Sequence, residues 1–309
     1  MKGRRIEKQK VIVIQGPTGV GKTAVASELY EKLPIEIINA DSLQFYRHMD
    51  IGTSKPTPEV QLRIPHHLFS IVNPDESFNA ARFMETARQA VDDILLRGKI
   101  PVTVGGTGLY IKALIKGLSA APEGDEDLRK ELRRENKEEL FKRLTHVDPE
   151  SSQNIHPNDV VRIIRALEVF YLTGEPLSQH HLKHEFRDAP YSCLKICLAR
   201  DRPSLYRRID LRVDRMMERG LLQEVRSLID MGYCPETKAL QSIGYRQMVG
   251  FINGCFGLQE AVSQIKKETR HFAKRQLTWL RHDPENVWVR LPENAGKVEV
   301  LVKKFLNIL

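Results

Sequence analysis

Val11-Ile12-Val13-Ile14-Gln15-Gly16-Pro17-Thr18-Gly19-Val20-Gly21-Lys22-Thr23 is the stretch whose reading decides the fold. It opens on a β-branched apolar run, the pattern of a strand buried on both faces of a parallel sheet. Gly16 to Thr23 then match GxxxxGK[ST] in full. Beyond the loop, Ala24, Val25, Leu29, Tyr30 and Leu33 recur at helical spacing, and Pro34 closes the helix. In that context Gly16, Pro17, Thr18, Gly19, Val20, Gly21, Lys22 and Thr23 form a diphosphate cradle: backbone N–H groups turn inward at the positive end of a helix, Lys22 neutralises a phosphate, and the Thr23 hydroxyl can ligate Mg²⁺. Such a loop recognises linked phosphates and says nothing about a base.

Outward from the loop, Ile35 to Ala40 reads as a second strand ending at Asp41, Phe78 to Leu96 as an amphipathic helix ended by Gly98, and Ile100 to Val104 as a third strand running into Gly105-Gly106-Thr107-Gly108. Strands alternating with helices predict a doubly wound parallel α/β sheet with ligands at the carboxyl ends of the strands. From Asp125 to about His184 the pattern is helical only, before a strand returns at Cys193 to Leu198. Long helices follow across Tyr206 to Arg219 and Leu221 to Ile229, and a last strand at Val287 to Val289 precedes a terminal helix. The expected organisation is one P-loop α/β core, residues 1–120 and 190–309, interrupted by an all-helical insertion at 121–189.

Composition narrows the partners. Hydrophobic residues make up 41% and charged residues 28% of the 309, ordinary globular usage. No apolar run approaches the roughly 20 residues that cross a bilayer, and the basic first ten residues lead into the loop rather than a cleavage site. The expectation is a cytoplasmic protein with no membrane role. Its four cysteines form no CxxC pair and read as reduced thiols. Lys plus Arg exceed Asp plus Glu by 48 to 40, for a net charge of +8, which favours a polyanionic partner. The excess gathers towards the C-terminus, where Lys266, Lys267, Arg270, Lys274, Arg275 and Arg281 meet the single acid Glu268 before His282.

A nucleotide-hydrolysing P-loop protein normally carries an aspartate at the end of a later apolar strand. Here that strand ends in Gly105-Gly106-Thr107, and the acid follows the second strand instead, as Asp41-Ser42-Leu43-Gln44. Together with Tyr46, Met49 to Pro56, Gly105 to Tyr110, His156-Pro157-Asn158-Asp159, Arg165 to Val169 and Gly244-Tyr245-Arg246-Gln247, these blocks resemble the tRNA dimethylallyltransferases, of the bacterial type without an appended zinc module. The resemblance runs from Val11 to about Arg281. It implies transfer of a dimethylallyl group from dimethylallyl diphosphate to N6 of the adenosine 3′ of the anticodon in tRNA, with Mg²⁺ and release of pyrophosphate.

That chemistry suits the residues. An exocyclic adenine amine is a weak nucleophile, so a base must take its proton as the new bond forms, and Asp41 is the candidate; Mg²⁺ organisation or helix capping are its other possible roles. The departing pyrophosphate gains charge and calls for preorganised cations, Lys22, Mg²⁺ through Thr23, and an arginine. By resemblance the arginine is Arg212, with Arg207, Arg208 and Arg215 as neighbours that sequence alone does not separate. The resemblance further implies that Asp41, Ser42, Leu43 and Gln44 meet the flipped adenine, that Thr107 lines the channel, and that Gly244, Tyr245, Arg246, Lys274, Arg275, Trp279 and Arg281 contact the anticodon stem-loop. Where the family shows QRxxR this chain has Val161-Arg162-Ile163-Ile164-Arg165, so Arg162 and Arg165 carry over and the glutamine contact does not.

His66-His67 and His180-His181-His184 lack accompanying carboxylates or cysteines at ligand spacing and read as surface histidines rather than a metal site. Three rival functions share the loop: a kinase for a nucleotide or small molecule, a non-catalytic RNA-binding protein, and a prenyltransferase for free adenosine phosphates. The basic C-terminal stretch argues against the last, since a mononucleotide needs no long phosphate-tracking face. No feature suggests a dimer seam, and a monomer is expected.

Overall fold

A computed structural model describes residues 8–119, 121–184 and 189–308; the basic residues before position 8 and the side chain of His184 lie outside the described residues. In chain order the elements are β1 (Gln9–Gln15), α1 (Lys22–Tyr30), β2 (Ile35–Ala40), α2 (Pro58–Arg63), β3 (His66–His67), α3 (Ala80–Leu96), β4 (Ile100–Gly105), α4 (Gly108–Lys116), α5 (Glu126–Arg134), α6 (Lys137–Val147), α7 (Pro149–Asn154), α8 (Val160–Thr173), α9 (Leu177–His184), β5 (Tyr191–Ala199), α10 (Arg202–Glu218), α11 (Leu221–Asp230), α12 (Tyr245–Ile252), α13 (Leu258–Arg281), β6 (Val287–Arg290) and α14 (Lys297–Leu306). Packing divides the chain into two compact units, residues 1–115 with 190–309, and residues 116–189.

The first unit is built on a six-stranded sheet in the order β3-β2-β4-β1-β5-β6, every pair parallel. Alternation along β1 explains its two-sided burial. Val11 and Val13 enter one core with Phe83, Val91 and Ile94 of α3, while Ile12 and Ile14 enter the opposite core with Val25, Ala26 and Leu29 of α1. Each such fully buried aliphatic side chain contributes about 1.5–3 kcal/mol, which is why a strand without a single polar residue between positions 11 and 14 belongs at the centre of the sheet. The Asn79 side chain caps α3 by accepting from Arg82 N at 2.9 Å, so the helix starts two residues after the Phe78 expected from periodicity.

His66 and His67, expected at the surface, instead pair with Ile37 and Ile38 as the short edge strand and are half-buried. His67 Nε2 lies 2.7 Å from Glu36, which also accepts from Arg97. A two-residue strand of polar type leaves no period-2 apolar signal, so only the sheet reveals it.

The second unit is helical throughout its described residues, with Leu132, Leu140, Leu144, Ile163, Ile164 and Leu167 as its core. Glu168 of α8 is fully buried within it and accepts from Arg129 Nε at 2.8 Å, Arg165 Nη1 at 2.5 Å and Asp125 N at 2.8 Å. Together with Arg129 Nη2 at 3.0 Å, these donors satisfy the carboxylate's lone pairs and tie the start of α5 to α8.

Candidate active site

All elements that matter for the site belong to the first unit. The loop after β1 ends at Gly21, whose φ of 114° is a left-handed conformation that only glycine adopts without strain, and α1 starts there with no side-chain cap. Its first N–H groups therefore remain available to an anion. Lys22 folds back onto the loop, donating to the carbonyls of Gly16 at 2.9 Å and Pro17 at 3.2 Å. Desolvation lowers its pKa to about 8, opposed by Asp41 and reinforced by the Arg212 guanidinium.

One cavity of about 500 Å³ opens over this loop. Thr18, Gly19, Gly21, Lys22 and Thr23 form one wall; Asp41 and Gln44, from the turn after β2, a second; Arg208, Leu211, Arg212, Arg215 and Met216, on one face of α10, with Arg219 at its C-terminal end, a third. Spacing explains the last wall, because residues three and four apart share a helical face. The structure thus separates the four arginines that the sequence left together. Arg208 Nε donates to Gly19 O at 2.9 Å, and Arg212 Nη2 to Thr53 O at 3.1 Å. Arg215 joins the lining, while Arg207 is exposed and absent from it. Burial depresses the pKa of Arg212, with Asp41 opposing, and its buried Nε has no hydrogen-bond partner among the described residues. A buried guanidinium N–H without a protein partner suits an anionic ligand.

The backbone around Asp41 is clamped. Asn39, 1% exposed at the end of β2, accepts from Asp41 N at 2.9 Å and donates to Asp41 O at 3.3 Å. Asp41 Oδ1 accepts from Leu43 N at 3.1 Å, and Oδ2 accepts no hydrogen bond among the described residues. Ala40 lies in register with Gly105, and a Cβ on Gly105 would lie 2.2 Å from Ala40 O, so no late-strand acid fits there and the carboxylate comes from Asp41 one strand over. Ser42 N donates to Thr107 Oγ1 at 3.1 Å, and Gln44 Nε2 to Thr53 O at 3.0 Å.

Among the described residues no three His, Cys, Asp or Glu side chains gather as a metal cage. Mg²⁺ needs none: it is commonly held by one or two protein oxygens plus substrate phosphates, and Thr23 and Asp41 place a hydroxyl and a carboxylate on the same cavity.

The remaining expected contacts divide. Lys274, Arg275, Trp279 and Arg281 stand exposed on α13 with Lys267 and His271. Lys266 and Arg270, grouped with them by spacing, are instead held against α10, by Asp214 at 2.6 Å and Asp210 at 2.5 Å. Tyr245 is a correction: its ring is fully buried, packed on Gly52 with its hydroxyl donating to Glu224 Oε1 at 2.6 Å, so it serves the core and offers no stacking surface. Gly244 is buried too, at the start of α12, and Arg246 is exposed but paired with Glu268. In the second unit Arg162 is exposed, whereas Arg165 is engaged by Glu168 and by Pro122 O at 2.7 Å, which assigns it to the helical core rather than to a free surface.

Sequence reasoning missed Asn39, Arg200, Glu224 and Gln276. Arg200 Nε donates to Val20 O at 2.8 Å. Glu224 accepts from the backbone N–H groups of Asp50, Ile51 and Gly52 at 2.7–3.0 Å, fixing the turn that presents Thr53. Gln276, in the α13 segment read as RNA-binding, points inward to the phosphate loop. Arg200, Glu224 and Gln276 act across at least one other element and carry no local pattern. Asn39 instead clamps the residue two places on, a contact that an Asn before an acid at a strand end could have signalled.

Comparison with known proteins completes the description. A profile of the IPP transferase family matches residues 44–283, and one for isopentenyl transferases matches residues 9–64. The chain is 51% identical over 305 residues to a tRNA dimethylallyltransferase of Geobacter metallireducens, covering 97% of this chain and 99% of that one. It is also similar to the crystal structure of a tRNA isopentenylpyrophosphate transferase from Bacillus halodurans (TM-score 0.73, 37% identity, 97% of each chain covered). A third similarity is to a eukaryotic dimethylallyltransferase captured acting on tRNA (TM-score 0.82, 30% identity, 97% of this chain and 80% of that one).

Proposed function

The chain belongs to the tRNA dimethylallyltransferase family, and from that premise we propose that it transfers the dimethylallyl group of dimethylallyl diphosphate to N6 of the adenosine 3′ of the anticodon, as a cytoplasmic Mg²⁺-dependent enzyme. The observation that carries this reading is the composition of one cavity: a cationic floor at Lys22, Arg208 and Arg212, the single carboxylate of Asp41, and apolar side chains at Leu211, Met216, Pro56 and Val104. Those parts match a diphosphate, an amine to be deprotonated and a short hydrocarbon.

In the proposed reaction the N6 lone pair forms a bond to C1 of the allylic group while the C1–O bond breaks and its electron pair leaves with pyrophosphate. Asp41 takes the proton from N6, through the oxygen that its own turn leaves uncommitted. Lys22 and Arg212 stabilise the charge growing on the departing phosphate, from positions already desolvated before the reaction. Mg²⁺, held through Thr23 and the phosphates, would add charge neutralisation. Gln44 and Ser42, fixed by Thr53 O and Thr107, face the adenine, which must leave its stack at a cost of a few kcal/mol that contacts to the stem-loop offset.

The test is incubation with Mg²⁺, unmodified tRNA and labelled dimethylallyl diphosphate. Label in the adenosine 3′ of the anticodon is expected; no incorporation together with phosphoryl transfer from ATP would establish the kinase reading instead.

A further inference from the structure

We propose that Gln276 is a positioning residue that couples the two substrates, so that RNA docked on α13 tightens the phosphate loop around its anion. The inference rests on the activity reading above and goes beyond it. Gln276 is 8% exposed, and both ends of its amide are engaged: Oε1 accepts from Thr18 N at 2.8 Å, and Nε2 donates to Gly106 O at 3.0 Å. The orientation is unambiguous, because a backbone N–H only donates and a carbonyl only accepts. One side chain therefore joins the phosphate loop, the turn after β4 and the helix that bears Lys274, Arg275 and Trp279. The turn continues the path, since Thr107, next to Gly106, accepts from Ser42 N beside Asp41.

Close approach makes the link stiff. A Cβ on Gly106 would lie 2.4 Å from Gln276 Nε2, and one on Gly108 would lie 1.9 Å from Trp279 Nε1, so the two glycines are the seat into which α13 fits. Lys274 and Arg275, exposed immediately before the inward-facing Gln276, offer phosphate contacts to RNA. When those contacts hold the helix, Gln276 holds Thr18, and the loop loses less conformational freedom on closing around an anion. Linkage makes the effect reciprocal: the diphosphate must tighten RNA binding by the same factor.

The test titrates inorganic pyrophosphate with Mg²⁺ into the full chain, alone and saturated with an unmodified anticodon stem-loop RNA, for the parent and for Gln276→Met. RNA is expected to tighten pyrophosphate about tenfold in the parent, within the usual range of coupling, and to leave its affinity unchanged in Gln276→Met. A merely structural role would lower melting temperature and both affinities yet preserve the ratio, and a preserved ratio overturns the proposal, as does a ratio of one in the parent. Should Gln276→Met fail to fold, hydrogen exchange in the parent decides: RNA alone should slow exchange of the Thr18 amide, and unchanged exchange overturns the idea. A parent that binds neither ligand would overturn the activity reading with it, whereas binding of both without coupling removes only this inference.

Discussion

At the scale of single residues the site is a contest between one carboxylate and several cations in a partly desolvated cavity. Replacing Asp41 by Asn keeps the Leu43 turn contact but removes the proton acceptor. Single-turnover transfer should slow about 10²-fold or more, with RNA affinity little changed in filter binding. A near-parental rate would return Asp41 to organising Mg²⁺. Lys22 sets a second expectation. Its pKa is lowered to about 8 by desolvation, and a bound diphosphate would draw the proton back. Affinity for a diphosphate monoester such as dimethylallyl diphosphate should therefore fall as pH rises above about 8, by up to about tenfold per pH unit, after that ligand's own last ionisation, at about pH 6, is complete. Unfolding does not imitate this loss. Between 8 and the ordinary lysine value of 10.5 the unfolded chain binds more protons at Lys22 than the folded one, so this group's contribution to stability rises with pH.

At the scale of elements the decisive contact is α13 on the turn between β4 and α4. Gly105-Gly106-Thr107-Gly108 ends β4 in a glycine-rich turn, and Gly106 and Gly108 clear space for Gln276 and Trp279. Gly108→Ala should push the indole off its seat and destabilise the protein by about 1–3 kcal/mol, the usual range for overpacking. The chain has 2 tryptophans, Trp279 and Trp288, so the emission of a Trp288→Phe background reports on Trp279 alone. An unshifted spectrum and melting temperature in Gly108→Ala would show that the helix sits elsewhere in solution. The same packing accounts for Lys266 and Arg270: helical spacing puts them on one face with Lys274, but α10 presents Asp210 and Asp214 to that face and engages them.

At the scale of the molecule the net charge of +8 acts through where the unengaged cations lie. Lys274→Ala with Arg275→Ala should weaken stem-loop binding and lower the slope of log affinity against log salt by somewhat under one unit per lost contact, with KM for RNA raised and pyrophosphate affinity in the absence of RNA nearly kept. Gln44→Ala should spare the slope and damage transfer. Parental affinity of the double variant across a salt series would move the RNA surface to the second unit, where Arg162 is the exposed candidate and Arg165, held by Glu168, is not.

The sequence by itself determined the parallel sheet and the phosphate loop, because both are local: a four-residue β-branched run has few ways to be buried on two faces, and GxxxxGK[ST] between strand and helix turns its own N–H groups inward. Asp41 was legible for the same reason, as an acid at a strand end. Only the tertiary structure decided that Arg212 lines the cavity while Arg207 does not, that the Tyr245 ring fills the core, that Arg165 neutralises a buried glutamate, and that Gln276 turns inward to the phosphate loop. Each of these depends on what a distant element presents to the side chain, and periodicity along one helix carries no information about its neighbour.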